Sequence, residues 1–136
     1  MTSYEFWNVS RQVDTKYAGG FPKGLLQRIG RFLHPPILHC FSGRSRLGIT
    51  VDINPKVKPS VVADVHRLPF KPESFGCVLL EPPYDDYVNI HFYGDRHAPG
   101  RKQLKVSRFL WEAARCVRPA GYLIVLHWLR PATPKR

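Results

Sequence analysis

Acidic residues, cysteines and long apolar runs are all scarce in this chain. Asp and Glu number 10 against 21 Lys and Arg, so the formal net charge is +11. Such an excess suits a polyanionic partner, although charge alone does not name one. No apolar stretch reaches the roughly 18 residues of a membrane-spanning helix, so no membrane association is expected. The opening Met1-Thr2-Ser3-Tyr4-Glu5 has no basic region followed by an apolar one and does not read as a secretory signal. Cys40, Cys77 and Cys116 are odd in number and widely spaced, which excludes a disulfide framework and a paired-cysteine metal site. Cys40 and Cys77 lie inside apolar runs and are expected as buried free thiols, in keeping with a reducing cytoplasm. There is no internal repeat and no low-complexity segment.

What is present fits one α/β domain. The 136 residues suffice for a single domain, and the 43% hydrophobic content suffices for its core. Charge is unevenly spread. Residues 1–51 and 96–136 are strongly basic, whereas residues 52–95 hold seven of the acids. The acidic middle is the expected place for a cofactor and chemistry, and the basic ends for nucleic acid. Residues 1–20 read as an amino-terminal arm and 129–136 as a basic tail.

Leu25, Leu26, Ile29, Phe32 and Leu33 recur at helical spacing, with Pro22 suited to a first turn and Pro35-Pro36 as the stop. Short apolar runs follow. Ile37 to Phe41, Gly48 to Ile53, Val61 to Val65 and Phe75 to Leu80 read as strands. A helix is predicted from about Gln103 to Val117, with Val106, Phe109, Leu110, Ala113, Ala114 and Val117 on one face. Pro119-Ala120-Gly121 is expected to break it before a fifth strand, Tyr122 to Trp128. Continuous apolar strands imply burial on both faces, hence a parallel sheet with helices outside. Right-handed crossovers favour the doubly wound order 3-2-1-4-5. Ligands in such a sheet lie beyond the strand carboxyl ends, at the switch between strands 1 and 4.

The chemically suggestive residues fall at those ends. Strand 1 runs into Phe41-Ser42-Gly43, where a glycine allows close backbone approach, although an ordinary turn would look the same. Asp52 ends strand 2, followed by Ile53, and could accept from both hydroxyls of a ribose or simply form a turn. Asp64, before Val65, could accept from an adenine amino group or close a turn. Strand 4 ends in Glu81-Pro82-Pro83-Tyr84, which is more specific. Paired prolines have no N–H and cannot continue a sheet. A carboxylate before them and an aromatic after them suit a flat ring bearing an amino group.

These residues resemble the class I S-adenosylmethionine-dependent methyltransferases, and most closely the adenine-N6 and cytosine-N4 DNA amino-methyltransferases. Glu81-Pro82-Pro83-Tyr84 matches three of the four positions of the family's (Asp/Asn/Ser)-Pro-Pro-(Tyr/Phe/Trp) signature. Phe41-Ser42-Gly43-Arg44-Ser45 resembles its Phe-x-Gly-x-Gly loop, with Ser45 at the second glycine. Asp52, Asp64 and the segment Glu112 to Leu123 fall in the family's order, and Phe21-Pro22 resembles the motif that closes over the cofactor's methionine end. Position 39 is His where many members carry an acid. The resemblance spans about residues 16 to 128 and implies a minimal Rossmann-like fold without the closing hairpin.

It also implies a set of roles. Phe21, Pro22, His39, Phe41, Ser42, Gly43, Asp52, Ile53, Asp64 and Val65 would bind S-adenosylmethionine. Glu81, Pro82, Pro83 and Tyr84 would hold the amine, and no metal is implied. Arg101, Lys102, Lys105 and Arg108 would hold phosphates, and 87–102 would be a substrate loop. The implied partner is nucleic acid, DNA ahead of RNA. The alternatives are an RNA or protein amide-nitrogen methyltransferase and a catalytically inactive, methyltransferase-like binding subunit. An apolar fifth strand at the sheet edge is further expected to pair with a second copy over Tyr122 to Trp128.

Overall fold

The computed structural model describes residues 21, 24–82 and 105–126. Five strands form one parallel sheet: β1 (Ile37–Cys40), β2 (Ile49–Asp52), β3 (Val61–Val62), β4 (Phe75–Leu80) and β5 (Val117–Val125). Their spatial order is β3-β2-β1-β4-β5, and every pairing is parallel. This is the Rossmann-like α/β arrangement expected from the sequence. No helix among the described residues is long and apolar enough to cross a membrane.

Register explains the burial. Leu38 aligns with Val78 and Cys40 with Leu80, so these four point to one face. Their partners there are Phe109, Leu110, Ala113 and Cys116 of α2 (Val106–Cys116), with Val51, Val65, Leu68 and Phe75. Leu79 and Ile124 point to the other face, beneath Leu25 and Ile29 of α1 (Leu25–Ile29). Covered on both sides, all six residues of β4 are buried. Toward the far edge the cover thins, and Val62 of β3 is 55% exposed. All three cysteines are free and buried. Desolvation pushes the Cys77 thiol up to about 12 and raises Cys40 and Cys116 as well, so the thiols stay protonated and inert.

Several boundaries differ from the sequence reading. The first helix is one short α-turn capped by Gly24, continued by a 3-10 turn at Gly30–Phe32, and Pro22 lies outside the described residues. β3 stops at Val62 because Asp64 closes a turn: its Oδ1 accepts from His66 N–H at 2.9 Å and its carbonyl from Arg67 N–H. β5 starts at Val117, not Tyr122. Phe75 pairs with Val117 and Cys77 already with Tyr122, so Pro119-Ala120-Gly121 forms an excursion within the strand. It passes so close to β4 that a Cβ on Gly121 would lie 2.8 Å from the Gly76 carbonyl oxygen. The β5 ladder is described to Val125, and Trp128 lies outside the described residues.

The connections are also leaner than expected. Residues 41–48 join β1 to β2 without a helix, and residues 53–60 join β2 to β3 through a 3-10 turn, Pro55–Val57. Both fall short of the dozen or so residues of a usual parallel crossover. Close stitching replaces helix packing. Gly48, at φ 67°, lies where a Cβ would meet the Ile37 carbonyl oxygen at 2.6 Å. Thr50 and Ser60 exchange backbone-to-hydroxyl hydrogen bonds of 3.1 and 2.8 Å. One compact loop therefore carries the chain from the carboxyl end of β1 back to the amino end of β2.

Candidate functional site at the strand carboxyl ends

Alternation along β1 and β4 places His39, Leu79 and Glu81 on the same face. The Glu81 N–H donates to the Cys40 carbonyl, which extends the β1–β4 ladder one step beyond β4. Glu81 thereby comes beside His39, with Nε2 and Oε2 3.1 Å apart. His39 is fully buried and the Glu81 side chain is 7% exposed. Burial raises the Glu81 carboxyl above its usual range, and the hydrogen bond and charge of His39 offset part of that rise. Phe21 stacks on the His39 ring at 5.2 Å and 21°.

Beyond Cys40 the backbone turns sharply. Phe41 adopts φ 54°, a left-handed conformation unusual for a bulky residue. Its ring turns to the opposite face and meets Phe109 edge-on at 5.2 Å. Ser42 follows, buried, its N–H donating to the Val51 carbonyl. Among the described residues, three buried polar atoms here have no hydrogen-bond partner: His39 Nδ1, Ser42 Oγ and Glu81 Oε1. Left unmade, such bonds cost roughly 1–3 kcal/mol each, so a folded domain seldom leaves several together without use.

At the end of β2, Asp52 is half-buried and already engaged. Its Oδ2 accepts from Gly43 N–H at 2.8 Å and its Oδ1 from Asn54 N–H at 2.9 Å. These bonds clamp the β1–β2 loop onto the end of β2. A carboxylate oxygen has two lone pairs, so two ribose hydroxyls remain acceptable donors.

The exit of β3 forms a separate cluster. Asp64 Oδ1 lies 2.7 Å from His66 Nδ1, and His66 Nε2 accepts from the Lys105 N–H at 2.9 Å. A backbone N–H can only donate, so the proton of neutral His66 sits on Nδ1 and points at Asp64. Arg108 Nε donates to the His66 carbonyl at 3.2 Å. This latch holds the amino end of α2, and with it Lys105 and Arg108, against the β3 exit. Farther along α2, Glu112 accepts from Leu68 N–H, and Arg115 donates to the carbonyls of Leu68 and Phe70.

The fold thus gathers Phe21, His39, Ser42 and Glu81 at one exit and joins Gly43 to Asp52 beside it. Asp64 is drawn instead to His66. Val65 is 2% exposed and belongs to the core under the sheet, while Phe41 also packs inward. Ile53 is half-buried past the end of β2, and Pro82 is buried. Pro22, Pro83, Tyr84, Arg101, Lys102 and the expected loop at 87–102 lie outside the described residues. Two features escaped sequence reading. The His39–Glu81 pair joins residues far apart in the chain and carries no local signature. The Asp64–His66 contact had one, since an acid two residues before its partner is the spacing of an Asx turn. No protein-family model matches the chain, and no curated protein matches its sequence.

Proposed function

We propose that the chain is an S-adenosylmethionine-dependent methyltransferase acting on an exocyclic amino group of a nucleic-acid base, in DNA ahead of RNA. One observation carries most of the weight. The three unpartnered buried polar atoms lie at the ends of β1 and β4, the switch point where an open α/β sheet binds its ligand. The residues fit such a cofactor, because Asp52 keeps lone pairs for a ribose and the orphaned atoms await polar partners. Bound there, the cofactor would supply a methyl group already activated on a sulfonium.

The chain's own work is positioning. Asp52 would hold the ribose, and Phe21 would close the site over His39. An exocyclic amine is a weak nucleophile because its lone pair is delocalised into the ring. Glu81 Oε1, accepting one amino hydrogen, would localise that lone pair and aim the nitrogen. As the C–N bond forms, the nitrogen must lose a proton, and a carboxylate with a raised pKa takes it up more readily than an ordinary one. Tyr84 would stack on the base, and Lys105 and Arg108 would hold the backbone phosphates.

Calorimetric titration with S-adenosylhomocysteine tests the cofactor half of this reading. Wild type is expected to bind. Asp52→Ala is expected to bind more weakly, through the loss of hydrogen bonds worth about 1.5–3 kcal/mol each. Absence of binding to wild type at millimolar ligand would refute the reading.

A further inference from the structure

The His39–Glu81 pair has a property that follows from its geometry alone. Nε2 and Oε2 lie at hydrogen-bond distance, so a proton sits between them. When the pair holds one exchangeable proton, that proton is on Nε2, and Nδ1 is bare and accepts. When the pair holds two, Nδ1 carries a hydrogen and donates, whether the shared proton rests on imidazole or carboxylate. A single proton therefore reverses the hydrogen-bonding sense of Nδ1, one of the two unpartnered atoms of this pair. The other, Glu81 Oε1, accepts at both levels. Ser42 Oγ, two residues past the end of β1, can donate or accept.

At the one-proton level the pair offers acceptors only. A group that brings hydrogens and no lone pair for bonding suits it, as an amino or ammonium group does. The same level carries a negative charge shut away from water, which an empty site disfavours. Among the described residues no cation is hydrogen-bonded to His39 Nδ1 or Glu81 Oε1. Asp52, at the end of β2, brings no cation, and its carboxyl oxygens accept from backbone N–H groups. Cys77, on the same face of β4, is a neutral thiol. Thr50 of β2 is uncharged, and α1 packs on this face through Leu25 and Ile29, with Phe21 over the imidazole. α2 lies across the opposite face, so its cations do not reach the pair.

We propose that His39 and Glu81 form one proton-sharing unit, which binds a hydrogen-donating amino group while it holds one proton and releases it on taking up a second. The choice of ligands rests on the methyltransferase reading, since both the base and the cofactor's amino-acid end present such a group.

Two measurements on the full chain test it. Nitrogen-15 NMR of the imidazole across a pH titration is expected to show His39 Nδ1 protonated at low pH and bare at high pH, with Nε2 carrying the proton at high pH. Glu81→Gln should move that transition to lower pH. An Nδ1 that keeps its proton across the titration, or an Nε2 that is bare at high pH, would overturn the proposal. Calorimetry in buffers of different ionisation enthalpy then reads proton release on binding, expected to approach one per ligand below the transition and to fall toward none above it. Release with S-adenosylhomocysteine but not with 5′-methylthioadenosine, which lacks the amino-acid end, assigns the site to the cofactor. Release with an adenine oligonucleotide but not a purine one assigns it to the base. Binding without proton release in every case overturns the proposal and leaves the methyltransferase reading standing. Failure of all these ligands to bind overturns both.

Discussion

At the ends of β2 and β3, Asp52 and Asp64 accept hydrogen bonds from groups close by in the chain or the loop, and each helps to fold a turn. At the ends of β1 and β4, His39, Ser42 and Glu81 each keep a buried polar atom unpaired. The first exit is self-sufficient, and its polar groups mainly brace the scaffold. The second is unfinished, and Phe41 in a left-handed conformation lies in its loop. Strain and unmet hydrogen bonds cluster where a ligand completes the structure. The two exits share a floor, since Phe109 touches Phe41 on one side and His66 on the other.

That shared floor gives the largest expected effect. Phe109 is 1% exposed, and Phe109→Ala should lower stability by about 3–5 kcal/mol in urea unfolding. A drop below about 1 kcal/mol, well under the usual range for such a truncation, would mean that the two exits do not rest on a common core. At the unfinished exit, Glu81→Ala should slow methyl transfer about 10²-fold through poorer positioning, with S-adenosylhomocysteine still bound. Single-turnover rates at saturating cofactor check this, and an unchanged rate would remove Glu81 from the amine site.

At the braced exit, His66→Ala removes the bonds to Asp64 and Lys105 N–H and should cost about 1–3 kcal/mol of stability. Unfolding at neutral pH measures it, and no change would deny the latch its bracing role. A pH effect separates the exits further. Glu81 has a raised carboxyl in the fold, so its contribution to stability is complete below its unfolded value near 4.5 and disappears as pH rises through the folded value. Glu81→Gln should flatten that decline in a series of unfolding midpoints against pH. A decline equally steep in the variant would place its origin elsewhere. The smallest effect concerns the rim. Replacing Lys105 and Arg108 together by Gln should reduce the salt dependence of single-strand binding, the slope falling by about 0.7 for each phosphate no longer held. An unaltered slope would take the amino end of α2 out of the nucleic-acid path.

The sheet was legible because its information is local. Apolar runs bounded by Gly, Pro, Asp and Asn mark each strand, and the bounds of β4 match the run Phe75 to Leu80. The order follows from chirality and connection rules that apply to any such chain. The start of β5 was not legible, because the excursion through Pro119-Ala120-Gly121 depends on glycine meeting glycine across two strands. The end of β3 was misread because Val65 continues the apolar run in sequence, while Asp64 turns the backbone first. In the site, the acids at the strand ends could be found from position alone. Their partners could not. That His39 would face Glu81, and that Asp64 would be held by His66, depends on register and on a turn. The motif's prolines and aromatic were readable as chemistry, and of these only Pro82 is among the described residues.

Transfer of labelled methyl from S-adenosylmethionine to a single-stranded oligonucleotide, compared between wild type and Glu81→Gln, tests the central claim most directly. The account predicts label on an exocyclic amine with wild type and a reduction of about 10²-fold in the variant. Absence of label on DNA and RNA alike, from a wild-type chain that also fails to bind the cofactor, would contradict it.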